Sequence, residues 1–91
     1  MAGEQRIIRF SGSVQGVGFR YTACRAADGY EVTGCVRNLP DGQVEVVVEG
    51  ESSDIDAFLA ELRQRMAGYI EHITQQTLPA TGKFRGFGVR F

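Results

Sequence analysis

The stretch Gly12 to Arg20, G-S-V-Q-G-V-G-F-R, constrains this chain more than any other. Three glycines, Gly12, Gly16 and Gly18, fall within seven residues, between a strand pattern that ends before them and a helix pattern that starts after them. Glycine takes positive φ without strain, so such a run can curl tightly and turn its N–H groups to one side. Successive N–H groups in a curl form an anion nest, and a helix N-terminus adds positive partial charge at the same point. Arg20 falls in the first helical turn, where a cation is unfavourable unless an anion sits between it and the loop. A guanidinium fork suits a phosphate or carboxylate held by two bonds. The stretch reads as an oxyanion cradle, for a phosphoryl group first of all. On the loop alone, an unliganded strand-to-helix turn is equally compatible. No Gly-Lys-Ser/Thr follows, so this is not a P-loop, and the glycine spacing is not that of a dinucleotide fingerprint.

The 91 residues predict one small domain spanning 1–91. A net charge of −1 leaves no bulk basic field for nucleic acid or a membrane surface. Nine of the ten basic residues are Arg, with Lys83 the exception, which favours local geometric anion contacts over a diffuse lysine surface. No apolar run is long enough to span a bilayer and no signal peptide opens the chain, so a cytoplasmic location is the expectation. Cys24 and Cys35 lack metal-ligand spacing and are expected to be reduced; with a single His, no metal site is expected. Small size and the absence of a heptad predict a monomer.

Hydrophobic periodicity supplies the elements. Met1 to Gln5 is polar and expected to fray. Arg6 to Ser11 alternates as a strand, with Ile8 and Phe10 on one face and Ile7 and Arg9 on the other. Val14, Val17 and Phe19 give the glycine loop apolar anchors. Tyr21 to Asp28 predicts a short helix, with Gly29 in the left-handed position beyond it. Tyr30 to Asn38 is a second strand, Leu39-Pro40-Asp41-Gly42 a hairpin turn, and Gln43 to Glu49 a third strand. Ser53 and Asp56 have capping-box spacing. Ile55, Phe58, Leu59, Leu62 and Met66 form the apolar stripe of a second helix that Gly68 ends. Tyr69 to Leu78 and Phe84 to Phe91 have strand character. The order predicts an α+β fold of the split βαβ, ferredoxin-like kind: a mainly antiparallel sheet of four or five strands, with both helices on one face. Parity puts Cys35 on the open face, away from Cys24, and aims Gln43, Glu45, Val47 and Glu49 outward as an acidic surface.

Asn38 ends the second strand. If the first and third strands pair and the second lies beside the third, Asn38 approaches the glycine loop from across the sheet. Its carboxamide could then hold a water in line with a bound phosphorus. From spacing alone, an Asx contact capping its own turn is the more economical assignment. No Ser-His-Asp set is present, and His72 lies in the fourth strand, remote from the loop. A reaction here must need little acid–base help, as phosphoryl transfer from a good leaving group does.

G-S-V-Q-G-V-G-F-R, Gly12 to Arg20, and G-C-V-R-N-L-P-D-G-Q-V-E-V-V-V-E-G, Gly34 to Gly50, resemble the two signature stretches of the acylphosphatases, and the likeness runs from Ile7 to Phe91. The resemblance implies a ferredoxin-like sandwich that hydrolyses the carboxyl–phosphate anhydride of acyl phosphates without metal or cofactor. It implies phosphate binding by Arg20 and by the backbone N–H groups of Gln15, Gly16, Val17, Gly18 and Phe19. It implies water orientation by Asn38, with the substrate's own phosphate as base. Cys35 departs from the family, which often has a large aromatic there. Ala27 to Val32 is also an unusual run and predicts an early end to the first helix.

Two other functions compete. A non-catalytic module of the same fold would bind phosphate or carbamoyl phosphate as part of a maturation protein. The chain reads as complete at both ends, which weighs toward the free enzyme. An RNA-binding module would need paired aromatics and basic residues on the open sheet face. The acidic third strand argues against it.

Overall fold

The computed structural model describes residues 3–91. In chain order the elements are β1 (Glu4–Gly12), α1 (Phe19–Ala27), β2 (Val32–Asn38), β3 (Val44–Gly50), α2 (Ser52–Arg65), β4 (Ile70–Pro79) and β5 (Phe87–Val89). They form one five-stranded sheet in the order β4-β1-β3-β2-β5, antiparallel throughout except that β5 runs parallel to β2. The split βαβ plan and the pairing of β3 with both β1 and β2 agree with the sequence pattern.

Strand alternation decides which face is dry. Ile8, Phe10, Val32, Val36, Val44, Val46 and Val48 are buried together with Ala23 and Ala26 of α1 and Ile55, Phe58, Leu59 and Leu62 of α2. Each fully buried Ile, Val, Leu or Phe contributes about 1.5–3 kcal/mol by leaving water. This shared core holds both helices on one face of the sheet.

Several boundaries differ from the expectation. Met1 and Ala2 lie outside the described residues, but Glu4 and Gln5 are ordered strand rather than frayed chain. Gln5 pairs with Glu49 and Leu78 on either side, and its Nε2 donates to Glu49 at 2.7 Å. Gly29 does not take the left-handed conformation. Instead, the amides of Gly29 and Tyr30 donate to Ala26 and Ala27, so the last carbonyls of α1 are satisfied by a tightened turn. That turn ends the helix early and delays β2 to Val32. The capping box is not formed: Glu51 is the N-cap of α2 and makes no side-chain cap bond. Asp56 is drawn off to the Arg6 guanidinium, 2.5 Å away. The closing strand shrinks to Phe87–Val89, because pairing with β2 covers only Gly34 to Val36.

The acidic surface on β3 is also corrected. Glu45 and Glu49 point to the open face but are each 5 % exposed. Glu45 lies between Arg9 Nε at 3.1 Å and Arg37 Nε at 2.9 Å. Glu49 accepts from the Thr81 amide, the Thr81 hydroxyl and the Gly82 amide, which fastens the segment after β4 over the sheet. Burial alone would push the Glu49 carboxyl up, but these donors and Gln5 outweigh it and hold the carboxyl below its ordinary range. Cys35 is on the open face as expected, 7 % exposed, and both thiols are free.

Candidate functional site

The glycine loop, residues 13–18, is pinned at both ends by apolar side chains. Val14 is fully buried, and Phe19 packs on Phe10 with ring centroids 4.9 Å apart. Gly16 and Gly18 have φ of 77° and 78°, a region that costs an ordinary side chain about 1–2 kcal/mol. A Cβ on either would meet nothing within 4 Å, so conformation rather than space demands glycine there. Gly18 is the N-cap of α1, and its carbonyl accepts from Thr22 N at 2.9 Å. Arg20 is the second residue of α1, whose first turn holds no acidic residue. The Arg20 guanidinium carbon lies 5.3 Å from the centroid of the Phe91 ring.

The second component is the hairpin after β2. The Leu39 amide donates to Gln43 O at 2.8 Å and the Gly42 amide to Leu39 O at 3.1 Å, closing the turn read from Leu39-Pro40-Asp41-Gly42. The Asx contact in this turn belongs to Asp41, whose Oδ1 accepts from Gln43 N at 3.1 Å. Hydrogen bonds from the Gln43 side chain and amide hold the Asp41 carboxyl below its ordinary range. Asn38 instead borders the same cavity as Arg20.

That cavity, about 390 Å³, brings together Gly16, Gly18, Phe19, Arg20 and Asn38. Gln15 and Val17 are not among its lining residues. Val17 packs against the core, and the Gln15 side chain turns to the hairpin. Nε2 of Gln15 donates to Leu39 O at 2.8 Å and Gln43 O at 2.9 Å, tying the loop to the turn that follows Asn38.

Sequence reasoning missed the rest of the cavity: Val14, Tyr21, Cys24, Val89 and Phe91. Tyr21 and Cys24 follow from the helical repeat that carries Arg20. The last two follow only from the sheet. Val36 pairs with Val89, so two residues further along the parallel strands Phe91 comes level with Asn38. Burial, reinforced by Asp28, pushes the Cys24 thiol up, so it stays neutral in this wall. A larger hollow of about 710 Å³ lies between α2 and β4, beside Arg63, Glu71 and His72, and no glycine-loop residue lines it. Among the described residues no three His, Cys, Asp or Glu side chains gather as a metal site, and no helix is long and apolar enough to cross a membrane.

The chain's relatives share both sequence and fold. The acylphosphatase family model matches residues 6–89. An acylphosphatase of Paenarthrobacter aurescens is 44 % identical over 82 residues, covering 89 % of this chain and 87 % of that protein. The crystal structure of an acylphosphatase from Bacillus subtilis superposes with a TM-score of 0.86 at 27 % identity, covering 97 % of this chain and 99 % of that one. A full-length HypF in its phosphate- and nucleotide-bound form contains a similar region, with a TM-score of 0.84 at 28 % identity, covering 98 % of this chain but 12 % of that one. With a match that runs from β1 to β5, the chain belongs to the acylphosphatase family.

Proposed function

We propose that this enzyme hydrolyses the carboxyl–phosphate anhydride of acyl phosphates to carboxylate and inorganic phosphate, without metal or cofactor. One observation carries the proposal: Arg20 and Asn38, from different elements, border one cavity together with the positive-φ glycines at the N-terminus of α1. In this mechanism the phosphoryl group enters the curl of the loop. Backbone N–H groups of Gln15, Gly16, Val17, Gly18 and Phe19 donate to its oxygens, aided by the positive end of α1. Arg20 donates two bonds to the same group and neutralises charge as it develops.

Asn38 holds a water opposite the acyl leaving group. The water oxygen bonds to phosphorus, and the bond from phosphorus to the acyl oxygen breaks with its electron pair. The carboxylate leaves, and the water's proton passes to a phosphoryl oxygen. A carboxylate needs no acid to leave, so positioning and charge stabilisation supply the catalysis. The stack of Arg20 on Phe91 supports the assignment, because it places the guanidinium beside the cavity that Asn38 also borders.

The test follows phosphate release from benzoyl phosphate in the presence of a chelator. The parent chain turns over, Arg20→Gln loses at least about a hundredfold in kcat/KM, and Asn38→Ala loses mainly kcat. Near-normal turnover by Arg20→Gln overturns the mechanism. The likeness to a region of HypF favours one rival, a phosphate-binding module without turnover. A folded parent that binds phosphate but releases none from substrate would support that rival. The partner in either case is a small molecule, and the monomeric, cytoplasmic enzyme expected from the sequence is part of the same proposal.

A further inference from the structure

The phosphoryl chemistry uses one side of the cavity and leaves the other unexplained. That other side is made by Tyr21, Cys24, Val89 and Phe91, none of whose side chains is an acid or base charged at neutral pH. Among the described residues the exposed large hydrophobic side chains are Tyr21, Tyr69, Val89 and Phe91, and all but Tyr69 border this cavity. Apolar side chains gathered in the open around a polar centre mark a ligand surface. They come from distant parts of the chain, the first two turns of α1 and the end of β5 with the residues after it, so their meeting is a product of the fold.

Tyr21 is also held in place. Although it is 65 % exposed, its hydroxyl accepts from Arg25 Nη1 at 2.8 Å, and the Arg25 guanidinium carbon lies 5.7 Å from its ring centroid. A side chain one helical turn away thus fixes an aromatic that would otherwise sample several rotamers. A fixed aromatic face loses little freedom when a ligand settles on it. The cavity volume, about 390 Å³, falls within the roughly 300–1,000 Å³ of small-molecule sites and leaves room beyond a phosphoryl group.

We infer that Tyr21, Val89 and Phe91 form the subsite for the acyl group, and that the substrates are acyl phosphates with bulky apolar acyl groups, aromatic ones above all, rather than acetyl-sized ones. This inference rests on the proposed hydrolysis. With the phosphoryl group held by the loop and Arg20, the remainder of the cavity, bordered by Tyr21, Val89 and Phe91, is the space that receives the acyl body. Its burial there strengthens binding of the transition state and excludes water from the departing oxygen.

The experiment measures kcat/KM for benzoyl phosphate and acetyl phosphate with the parent, Tyr21→Ala, Phe91→Ala and, as a control outside the cavity, Tyr69→Ala. The quantity read is the benzoyl-to-acetyl ratio of each variant divided by that of the parent. This double ratio cancels the intrinsic reactivity of the two anhydrides. It falls by about tenfold in Tyr21→Ala and in Phe91→Ala, and stays near one in Tyr69→Ala. Double ratios near one, or above it, in both cavity variants while the parent hydrolyses both substrates overturn the subsite and leave the hydrolysis intact. A folded parent that hydrolyses neither substrate overturns the hydrolysis, and the subsite with it.

Discussion

Gln15 and Leu39, 24 positions apart in sequence, are joined by a 2.8 Å hydrogen bond from the Gln15 side-chain amide to the Leu39 carbonyl. The same nitrogen also donates to Gln43 O at 2.9 Å, so both of its hydrogens are engaged. The bond connects the proposed phosphate loop to the turn that follows Asn38. It sets the separation of the two halves of the site without touching the chemistry.

Loss of this tie is expected to act on turnover more than on folding. Gln15→Ala removes two exposed neutral hydrogen bonds, worth about 1 kcal/mol in a urea melt. It lowers kcat by about tenfold, because a small misplacement of Asn38, the proposed water-holding group, is costly. Gln15→Glu, nearly the same shape, turns a carboxylate toward two carbonyl oxygens and is no better than Ala. Rescue by Glu would mean that the side chain acts by bulk alone.

The loop's backbone geometry makes a separate prediction. Gly18 has φ of 78° with open space where a Cβ would stand. Gly18→Ala therefore costs about 1–2 kcal/mol from conformation alone. If the chain escapes the strain by flipping that peptide, stability recovers but the N–H groups no longer converge. Equilibrium unfolding and benzoyl phosphate kinetics on one preparation distinguish the outcomes. Full activity together with full stability would refute the assigned role of the positive φ.

Acid should loosen the segment after β4 first. The Glu49 carboxyl is held below its ordinary value of about 4.3, so the unfolded chain binds its proton more tightly than the native one. The stabilisation is therefore fully present above that ordinary value and is lost as pH falls through the lower native one. Glu49→Gln lowers stability at neutral pH by about 1–3 kcal/mol and flattens the stability–pH curve on the acid side. Urea midpoints from pH 7 down to about 3 measure both effects. A parent and variant with parallel pH profiles would count against the Glu49 cluster.

The start of α2 offers a contrast between two neighbours. Ser53 makes no cap bond, because the N-cap is Glu51, so Ser53→Ala changes stability by less than about 0.5 kcal/mol. Asp56 reaches Arg6, which also holds Glu4 and Ser52. Asp56 is 64 % exposed, and losing its ion pair is expected to cost no more than about 1 kcal/mol. Thermal melts of Ser53→Ala and Asp56→Ala should rank them in that order. The reverse ranking would restore the capping box.

The periodicity of this chain was sufficient for its element order and its core. Alternation in β3 and the stripe from Ile55 to Met66 each specify one apolar face, and a sheet with two such helices has few ways to bury them. The capping and turn signals were less reliable. Asp56 had an ion-pair partner 50 residues away, and Glu45 and Glu49 looked exposed until Arg9, Arg37 and Thr81 arrived from elsewhere. Side-chain parity says which face a residue takes, but it does not say what will cover that face.

The candidate site divides the same way. By itself the sequence determined the Gly12–Arg20 loop, the helix start behind it and Asn38 at a strand end, because glycine freedom, helix polarity and turn chemistry act over a few residues. Only the tertiary structure decided that Arg20 and Asn38 share a cavity, that Gln15 ties their segments together, and that Val89 and Phe91 wall it. Those contacts depend on the pairing of β2 with β5 and of β2 with β3. Such pairing is set by how distant apolar faces meet, and no local spacing encodes it.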